Sequence, residues 1–302
     1  MNNQPLVSVI MNCYNGERYL AESLKSLLKQ TYQNWELIFW DNLSTDNSKK
    51  IFENYKDKRF KYFLAENHTL LYHARNLAIQ KTSGDFIAFL DTDDFWLEDK
   101  LRKQIKLFTN KNVGLVYGNY WRYDKSNFFK KKKLAISKQL PSGMITDKLL
   151  SEYFIGIGTA VIRKKFIDEK EKIFDTEFDM LADMDFILRF SKKFEFDCVQ
   201  EPVQVHRLHA EQLQNKKMSE QVAQFSKWYE KIKSSNEFGS EEKLIAIKNR
   251  SNFFKIIKYI DEKFYFKSLK EIIFYPNNLD KIKLFFILIV PKKISNRILN
   301  LR

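Results

Sequence analysis

Short apolar runs alternate with helix-like segments over the first 125 residues of this 302-residue chain. The run at 85–90 is nearly continuous in apolar residues, as strands buried on both faces of a parallel sheet are. The predicted strands are 7–11, 35–40, 60–64, 85–90 and 113–117. The predicted helices are 17–29, one carrying Ile51, Phe52 and Tyr55, 70–81 and 97–108. This order favours an α/β fold built on a parallel, doubly wound sheet.

Polar clusters follow three of the predicted strands. They are residues 12–15, the pair Asp41 and Asn42, and residues 91–94. Doubly wound sheets bind their ligands at the carboxyl ends of the strands. We therefore expect the three clusters to converge in space and to form the functional site.

The last of these clusters is strongly acidic, with carboxylates at Asp91, Asp93 and Asp94. Like charges this close are costly unless a cation or cationic side chains neutralise them. A hard divalent cation, bound by one or two carboxylates and by ligand phosphates, suits Asp91 and Asp93 on one extended turn. The structural alternative is that Asp93 or Asp94 caps a helix that begins near Leu97.

Ordered motifs run through residues 6–125 at a characteristic spacing. They are Ser8-Val9-Ile10, Tyr14-Asn15, Asp41 to Ser48, Ala74-Arg75-Asn76, Ser83-Gly84-Asp85 and Leu90 to Asp94, with weaker motifs at 183–186 and 207–209. In this order the motifs resemble glycosyltransferase family 2. The resemblance implies the GT-A fold, a Rossmann-like, mostly parallel sheet with flanking helices. It also implies an inverting enzyme of the hexosyltransferase type that uses a nucleotide diphosphate sugar.

The resemblance further implies roles for individual residues by motif position. Asp183 would be the general base that takes the proton of the acceptor hydroxyl. Asp91 and Asp93, with His209, would hold Mn²⁺ or Mg²⁺, and Asp93 would be the direct ligand. The residues implied to bind the nucleotide sugar are Tyr14, Asn15, Glu17, Asp41, Asn42, Arg75, Asp91 and Thr92.

Several positions depart from the family pattern. Asn12 stands where proline is common, and Asn42 stands where a second aspartate is common. Leu43 replaces a glycine, so the turn there cannot rely on a glycine at positive φ. Ala182 stands where a glutamate often precedes the base, and Asp185 is the nearest carboxylate that could substitute for it.

The rest of the chain predicts an appended region. We expect a GT-A domain over 1–215, with a nucleotide-sugar part at 1–125 and an acceptor part at 126–215, and a basic helical extension over 216–302. The formal net charge of +14 divides into +1 over 1–110, +4 over 111–209 and +9 over 210–302. Because nucleic-acid enzymes are usually basic around the catalytic centre, no nucleic-acid partner is expected.

The basic extension has three interpretations. It is a solvated helical appendage, a peripheral contact with anionic lipid through 281–293, or a nucleic-acid-binding segment, which the charge distribution disfavours. The longest apolar run, 284–290, has seven residues, whereas a membrane span needs about 20. No signal peptide is apparent, and two cysteines in the whole chain suit a reducing compartment. We expect a cytoplasmic protein, free or peripheral on the inner face of the cytoplasmic membrane.

Three functions remain open at this point. The first is metal-dependent transfer from a UDP-sugar to a glycan or lipid-linked acceptor in surface polysaccharide biosynthesis. The second is a nucleotidyltransferase, although residues 7–16 contain one glycine and no basic residue for a phosphate-binding loop. The third is a non-catalytic, membrane-associated protein of the same fold. His206 and His209, three residues apart, could also share a metal if they lay on a helix.

Overall fold

The computed structural model describes residues 4–124, 132–167, 173–209, 212 and 218–290. It divides the chain into two compact units, Met1–Leu149 with Tyr153–Ala210, and Leu150–Glu152 with Glu211–Arg302. The strands of the first unit are β1 (Val7–Cys13), β2 (Trp35–Asp41), β3 (Phe60–Leu64), β4 (Phe86–Phe89), β5 (Phe95–Trp96), β6 (Val113–Asp124), β7 (Lys132–Leu134), β8 (Val161–Arg163) and β9 (Glu195–Leu208). The helices before the second unit are α1 (Glu17–Leu28), α2 (Ser48–Glu53), α3 (Leu71–Ile79), α4 (Lys100–Leu107), α5 (Thr146–Ser151) and α6 (Ala182–Ser191).

One sheet organises the first unit, in the order β3-β2-β1-β4-β8-β6-β9-β5, with β7 beside β6. The four neighbouring strands β3, β2, β1 and β4 pair in parallel. Beyond β4 the pairing is mixed, because β8 runs antiparallel to both β4 and β6 while β6 and β9 are parallel. The predicted α/β fold is therefore confirmed, with a parallel amino-terminal half and a mixed remainder.

The parallel half is buried as its sequence suggests. Every residue of β2 and β4 is buried, and all but one of β1. Leu20, Leu24 and Leu27 of α1 share a core with Val9 and Met11 of β1. The leucines recur every three or four residues, so one helical stripe covers the sheet.

Three details of the predicted elements are wrong. The second helix, α2, begins at Ser48 and ends at Glu53, so Tyr55 lies beyond its end. The fourth helix, α4, begins at Lys100 rather than at 97, because Phe95 and Trp96 form β5 and pair with β9. The fourteen-residue strand β9 was not predicted.

The second unit is helical, as predicted for the extension. Its helices are α7 (Met218–Ser234), α8 (Ile245–Asp261), α9 (Tyr265–Ile273) and α10 (Asn278–Ile289). A core of α8, α9 and α10 side chains holds the last three together, among them Phe253, Ile257, Ile272 and Ile287. Among the described residues, no helix is both long and apolar enough to cross a membrane. The boundaries predicted at 125 and 215 stay predictions, and part of the segment 281–293, from residue 291 onward, lies outside the described residues.

Candidate active site

The three polar clusters meet at one edge of the sheet, as expected. They follow β1, β2 and β4, which are parallel neighbours, so their carboxyl ends lie together. The backbone N–H of Asn42 donates to the carbonyl of Cys13 across 2.8 Å. Gly16 lies so close to Thr92 that a Cβ on the glycine would come within 3.0 Å of the threonine Oγ1. The turn after β4 is therefore packed directly against the turn after β1.

Asn15 and Glu17 hold the turn after β1 to the turn after β2. Asn15 Oδ1 accepts a hydrogen bond from Thr45 N at 2.8 Å, and Glu17 Oε2 accepts one from Asn47 N at 2.9 Å. Asp46 Oδ2 accepts from Glu17 N at 2.9 Å. These bonds hold the two turns together. Direct contact of Asn15 or Glu17 with a nucleotide-sugar donor stays a prediction.

Asp41 and Asn42 organise the neighbouring loops. Buried Asp41 accepts hydrogen bonds from Ser44 N and Tyr62 Oη, both at 2.7 Å. Asn42 Nδ2 donates to the Thr69 carbonyl at 2.7 Å, while its Oδ1 accepts from Thr69 N at 3.2 Å. These side chains stabilise the loops around the predicted nucleotide pocket.

Leu43 takes the place of the family glycine in the turn after β2. Its φ is +66°, so the turn keeps the left-handed conformation without a glycine. An L-residue in that conformation costs roughly 1–2 kcal/mol. The hydrogen bond from Ser44 N to Asp41, immediately after Leu43, helps to hold the strained turn.

Tyr14 provides an exposed aromatic surface in the turn after β1. Its side chain is 54% exposed, and its ring centroid lies 4.3 Å from that of His68. Exposed rings of this kind can stack on a planar base. His68 was not predicted from the sequence, because it lies in a polar loop with no recognisable motif.

Arg75 of α3 and Asp91, which follows β4, form an ion pair. The Arg75 guanidinium donates to Asp91 Oδ1 at 2.5 Å, and the arginine side chain is buried while Asp91 is partly exposed. Burial alone would lower the pKa of Arg75, but Asp91, Tyr72 and Asp183 raise it above its usual range. Arg75 is therefore a permanent cation beside one predicted metal ligand and close to the predicted base.

Asp183 lies in the first turn of α6 and is half-buried. Burial raises the pKa of its carboxyl, while Arg75 and a hydrogen bond with Tyr72 act in the opposite direction. Burial and Asp183 in turn raise the pKa of Tyr72 well above its usual range, so Tyr72 is the proton donor in that bond. A carboxylate oriented in this way, with a raised pKa, suits a general base.

Asp185, the nearest carboxylate to the position of the family glutamate, forms an ion pair within its own helix. Its carboxylate binds Arg189 at 2.8 Å, one helical turn further along α6, and Arg189 also donates to the Ile173 carbonyl. Arg189 therefore engages the Asp185 charge, and support of the base by Asp185 stays a prediction.

Asp93 and Asp94 both bind side chains at the end of β9. Asp93 Oδ2 lies 3.0 Å from His209 Nε2. Buried Asp94 accepts from Gln204 Nε2 at 2.6 Å and Arg207 N at 2.9 Å, and lies 3.0 Å from His206 Nδ1. Neither aspartate caps a helix, since α4 begins behind Asp99.

His206 and His209 do not form a helical metal pair. His206 is on β9 and His209 follows its last residue, and the two rings face different aspartates. Arg207, between them, donates to the Asp93 carbonyl at 2.9 Å and to Glu22 at 2.8 Å. The end of β9 thereby fixes the position of the turn after β4.

The donor set around Asp93 suits a divalent cation shared with a substrate. Within the described parts of the chain, no three His, Cys, Asp or Glu side chains are grouped to hold a metal. Asp93 Oδ2 and His209 Nε2 lie at a hydrogen-bond distance of 3.0 Å, so a carboxylate oxygen and an imidazole nitrogen are available together. Mg²⁺-type sites commonly complete their ligands with substrate phosphates. Asp93 and His209 therefore fit the implied Mn²⁺ or Mg²⁺.

The ion pair of buried Asp94 with partly exposed His206 predicts a pH-dependent stability. Burial alone would lower the pKa of His206, but Asp94 raises it to about 9 from an ordinary 6.5. Because the folded pKa is the higher one, this contribution to stability is complete below pH 6.5 and is lost as the pH rises through about 9. Urea unfolding of the wild type should show this decline, and His206→Gln should flatten it. An equal decline in His206→Gln would contradict the assignment.

Known proteins of similar sequence and structure are glycosyltransferases. The chain is 38% identical over 163 residues to the Escherichia coli UDP-Glc:alpha-D-GlcNAc-diphosphoundecaprenol beta-1,3-glucosyltransferase WfgD, which covers 54% of the chain and 62% of that relative. A further curated relative is the putative teichuronic acid biosynthesis glycosyltransferase TuaG of Bacillus subtilis. It is 36% identical over 39% of the chain and 48% of its own length. The chain thus spans about half to three fifths of the length of these relatives.

The fold is that of solved GT-A-like glycosyltransferases. S. aureus TarS in complex with UDP-GlcNAc superposes with a TM-score of 0.62 at 17% identity, over 95% of the chain and 82% of that protein. The sequence model of "Glycosyl transferase family 2" matches residues 8–171, more than half of the chain. The match contains the polar clusters that follow β1, β2 and β4. The chain therefore belongs to glycosyl transferase family 2.

Proposed function

We propose that this protein is an inverting, metal-dependent glycosyltransferase that moves a sugar from a UDP-sugar to a lipid-linked glycan acceptor. The observation that carries the proposal is the grouping at one strand end of Asp93 with His209, of Arg75 with Asp91, and of the predicted base Asp183 close to Arg75. These side chains suit the two sides of one displacement reaction, the departure of the diphosphate and the attack of the acceptor hydroxyl.

The donor side of the reaction concerns the leaving diphosphate. Asp93 and His209 would hold the divalent cation, with Asp91 beside them. A bound cation of this kind neutralises the charge that grows on a departing phosphate oxygen. Arg75 keeps Asp91 in position through their ion pair and adds positive charge to the same region. Tyr14 offers its exposed ring to the nucleotide base.

The acceptor side of the reaction concerns Asp183. As the acceptor oxygen bonds to the anomeric carbon, the bond from that carbon to the diphosphate oxygen breaks, and the hydroxyl proton passes to the Asp183 carboxylate. Direct displacement from the face opposite the diphosphate inverts the anomeric centre. Tyr72, hydrogen-bonded to Asp183, orients the carboxylate.

The choice of donor and acceptor is supported by relatives. WfgD is named as using UDP-Glc and a diphosphoundecaprenol-linked sugar. A mannosyltransferase from Pyrobaculum calidifontis, with a TM-score of 0.56 and 18% identity over 76% of the chain and 65% of its own, is solved with GDP-Man and Mn²⁺. UDP is the favoured nucleotide, surface polysaccharide biosynthesis the favoured process, and the cytoplasmic side of the membrane the favoured location. Family membership argues against the nucleotidyltransferase alternative.

A nucleotide screen tests the donor. Thermal unfolding would be followed with UDP, GDP, CDP and dTDP, each with and without Mn²⁺. A ligand at about 100 times its Kd raises the free energy of unfolding by about 2.7 kcal/mol. This increase corresponds to a Tm increase of roughly 5–10 °C for a domain of this size. We expect that shift for UDP only, and only with Mn²⁺. A larger Tm shift for GDP would change the proposed nucleobase from uracil to guanine. The absence of a metal-dependent shift for every nucleotide would favour the non-catalytic alternative.

A further inference from the structure

The helices α9 and α10 of the second unit expose large apolar side chains. On α9 and at its two ends these are Phe264, Tyr265, Phe266, Leu269, Ile273 and Phe274. Phe266 is 87% exposed and Phe274 is 77% exposed. Isolated exposed apolar residues are ordinary, but a dense group marks an interaction surface.

The second helix of the pair continues this pattern. Its exposed apolar residues are Leu279, Ile282, Phe286 and Ile289, at steps of three, four and three residues. That spacing places them on one stripe of α10. Leu284 and Ile287 lie on its other side and enter the core with α8 and α9. The stripe is therefore not needed for the packing of the three helices, and we call it, with the exposed α9 side chains, the apolar face.

The charges beside the apolar face are mostly positive. Residues 263–290 contain five lysines and two acidic residues. Both acidic residues are paired with lysine, Glu271 with Lys255 at 3.8 Å and Asp280 with Lys283 at 3.3 Å. On α9, Lys267 and Lys270 are exposed. The following sequence, 291–302, adds four basic residues and no acidic one.

We propose that the apolar face docks the second unit on a bilayer surface that contains anionic lipid. Apolar side chains flanked by lysines suit the boundary between headgroups and acyl chains, where the rings are buried and the ammonium groups meet lipid phosphates. The sequence-based segment 281–293 covers only part of this face, because α9 contributes its most exposed rings. The proposal does not depend on the identity of the sugar donor.

Vesicle flotation of the full chain tests the proposal. One set of vesicles would contain phosphatidylglycerol and phosphatidylcholine, and the other phosphatidylcholine alone. We expect binding to the anionic vesicles that weakens with added salt. The double variant Phe266→Ser/Phe274→Ser should lose about tenfold or more in partitioning. Lys267→Gln/Lys270→Gln should lose about fivefold per lysine on anionic vesicles, with little change on neutral ones.

Met144→Ser is the matched control, because Met144 is 58% exposed in the first unit and outside the apolar face. It should bind vesicles like the wild type. All these substitutions are at exposed positions, so unchanged thermal unfolding would verify the fold. UDP-dependent thermal shifts should also be unchanged, which separates this proposal from the donor chemistry.

Two results would overturn the proposal. One is equal vesicle binding by the wild type and by Phe266→Ser/Phe274→Ser. The other is a wild type that ignores vesicles but forms a dimer in sedimentation experiments, with the same double variant monomeric. In that case the apolar face would bind a second copy of the chain.

Discussion

Asp183→Asn is expected to lower kcat for sugar transfer by about 10²–10⁴-fold while leaving nucleotide binding nearly intact. The amide keeps the shape of the carboxylate but cannot accept the acceptor proton, and positioned bases contribute about that factor. Because burial raises the pKa of Asp183, the wild-type rate should be lost as the pH falls through a value above that of an ordinary aspartate. Steady-state transfer assays over a pH series would measure both effects.

Asp185→Asn is the control on the same helix. It removes the carboxylate that Arg189 engages and therefore lowers stability. It should retain transfer activity under conditions where the protein is folded. Near-normal transfer by Asp183→Asn, with loss in Asp185→Asn, would show that the base is assigned to the wrong carboxylate.

Asp93→Ala has the second large expected effect, a loss of about 100-fold to 1,000-fold in transfer. Stabilisation of leaving-group charge by a metal is worth several kcal/mol, and each 1.36 kcal/mol is a factor of ten. The change also removes the partner of His209. Rates measured across a Mn²⁺ titration should show that the variant needs far more metal or does not respond to it.

Glu98→Ala is the matched control for Asp93, since Glu98 is an exposed carboxylate a few residues further along and its nearest cation is exposed Lys29. Its transfer rate and metal response should equal those of the wild type. A chelator should reduce the wild type to the level of Asp93→Ala and have little further effect on that variant. If Asp93→Ala kept a normal, chelator-sensitive rate, the metal would be bound elsewhere.

The sequence was informative where chemistry is local. The parallel strands were predictable because burial on both faces requires continuous apolar runs, as in β2 and β4. The convergence of the strand-end clusters followed from their parallel order. Strand β9 was not predictable in this way, because it mixes buried and exposed residues, contains Pro202 and pairs with β6 through register shifts.

The sequence pattern could not predict those site contacts that join residues distant in the sequence. Asp94 looked like a helix cap because its neighbours resemble the start of a helix, yet its partners are on β9. Leu43 shows the opposite problem, since a missing glycine did not remove the positive φ. For Asp94, tertiary hydrogen bonds to β9 decide the local conformation, whereas at Leu43 the hydrogen bond from Ser44 N to Asp41 is itself local.

The bonds from Asp94 to β9 also bear on when the protein can become active. Their partners, Gln204, His206 and Arg207, are synthesised 110 to 113 residues after Asp94. A growing chain that has just completed the family-typical residues 8–171 still lacks them, and with them His209. Contacts between such distant residues form slowly, because a long loop must close first. The turn that carries the predicted metal ligand is thus among the last parts of the first unit to take its final shape.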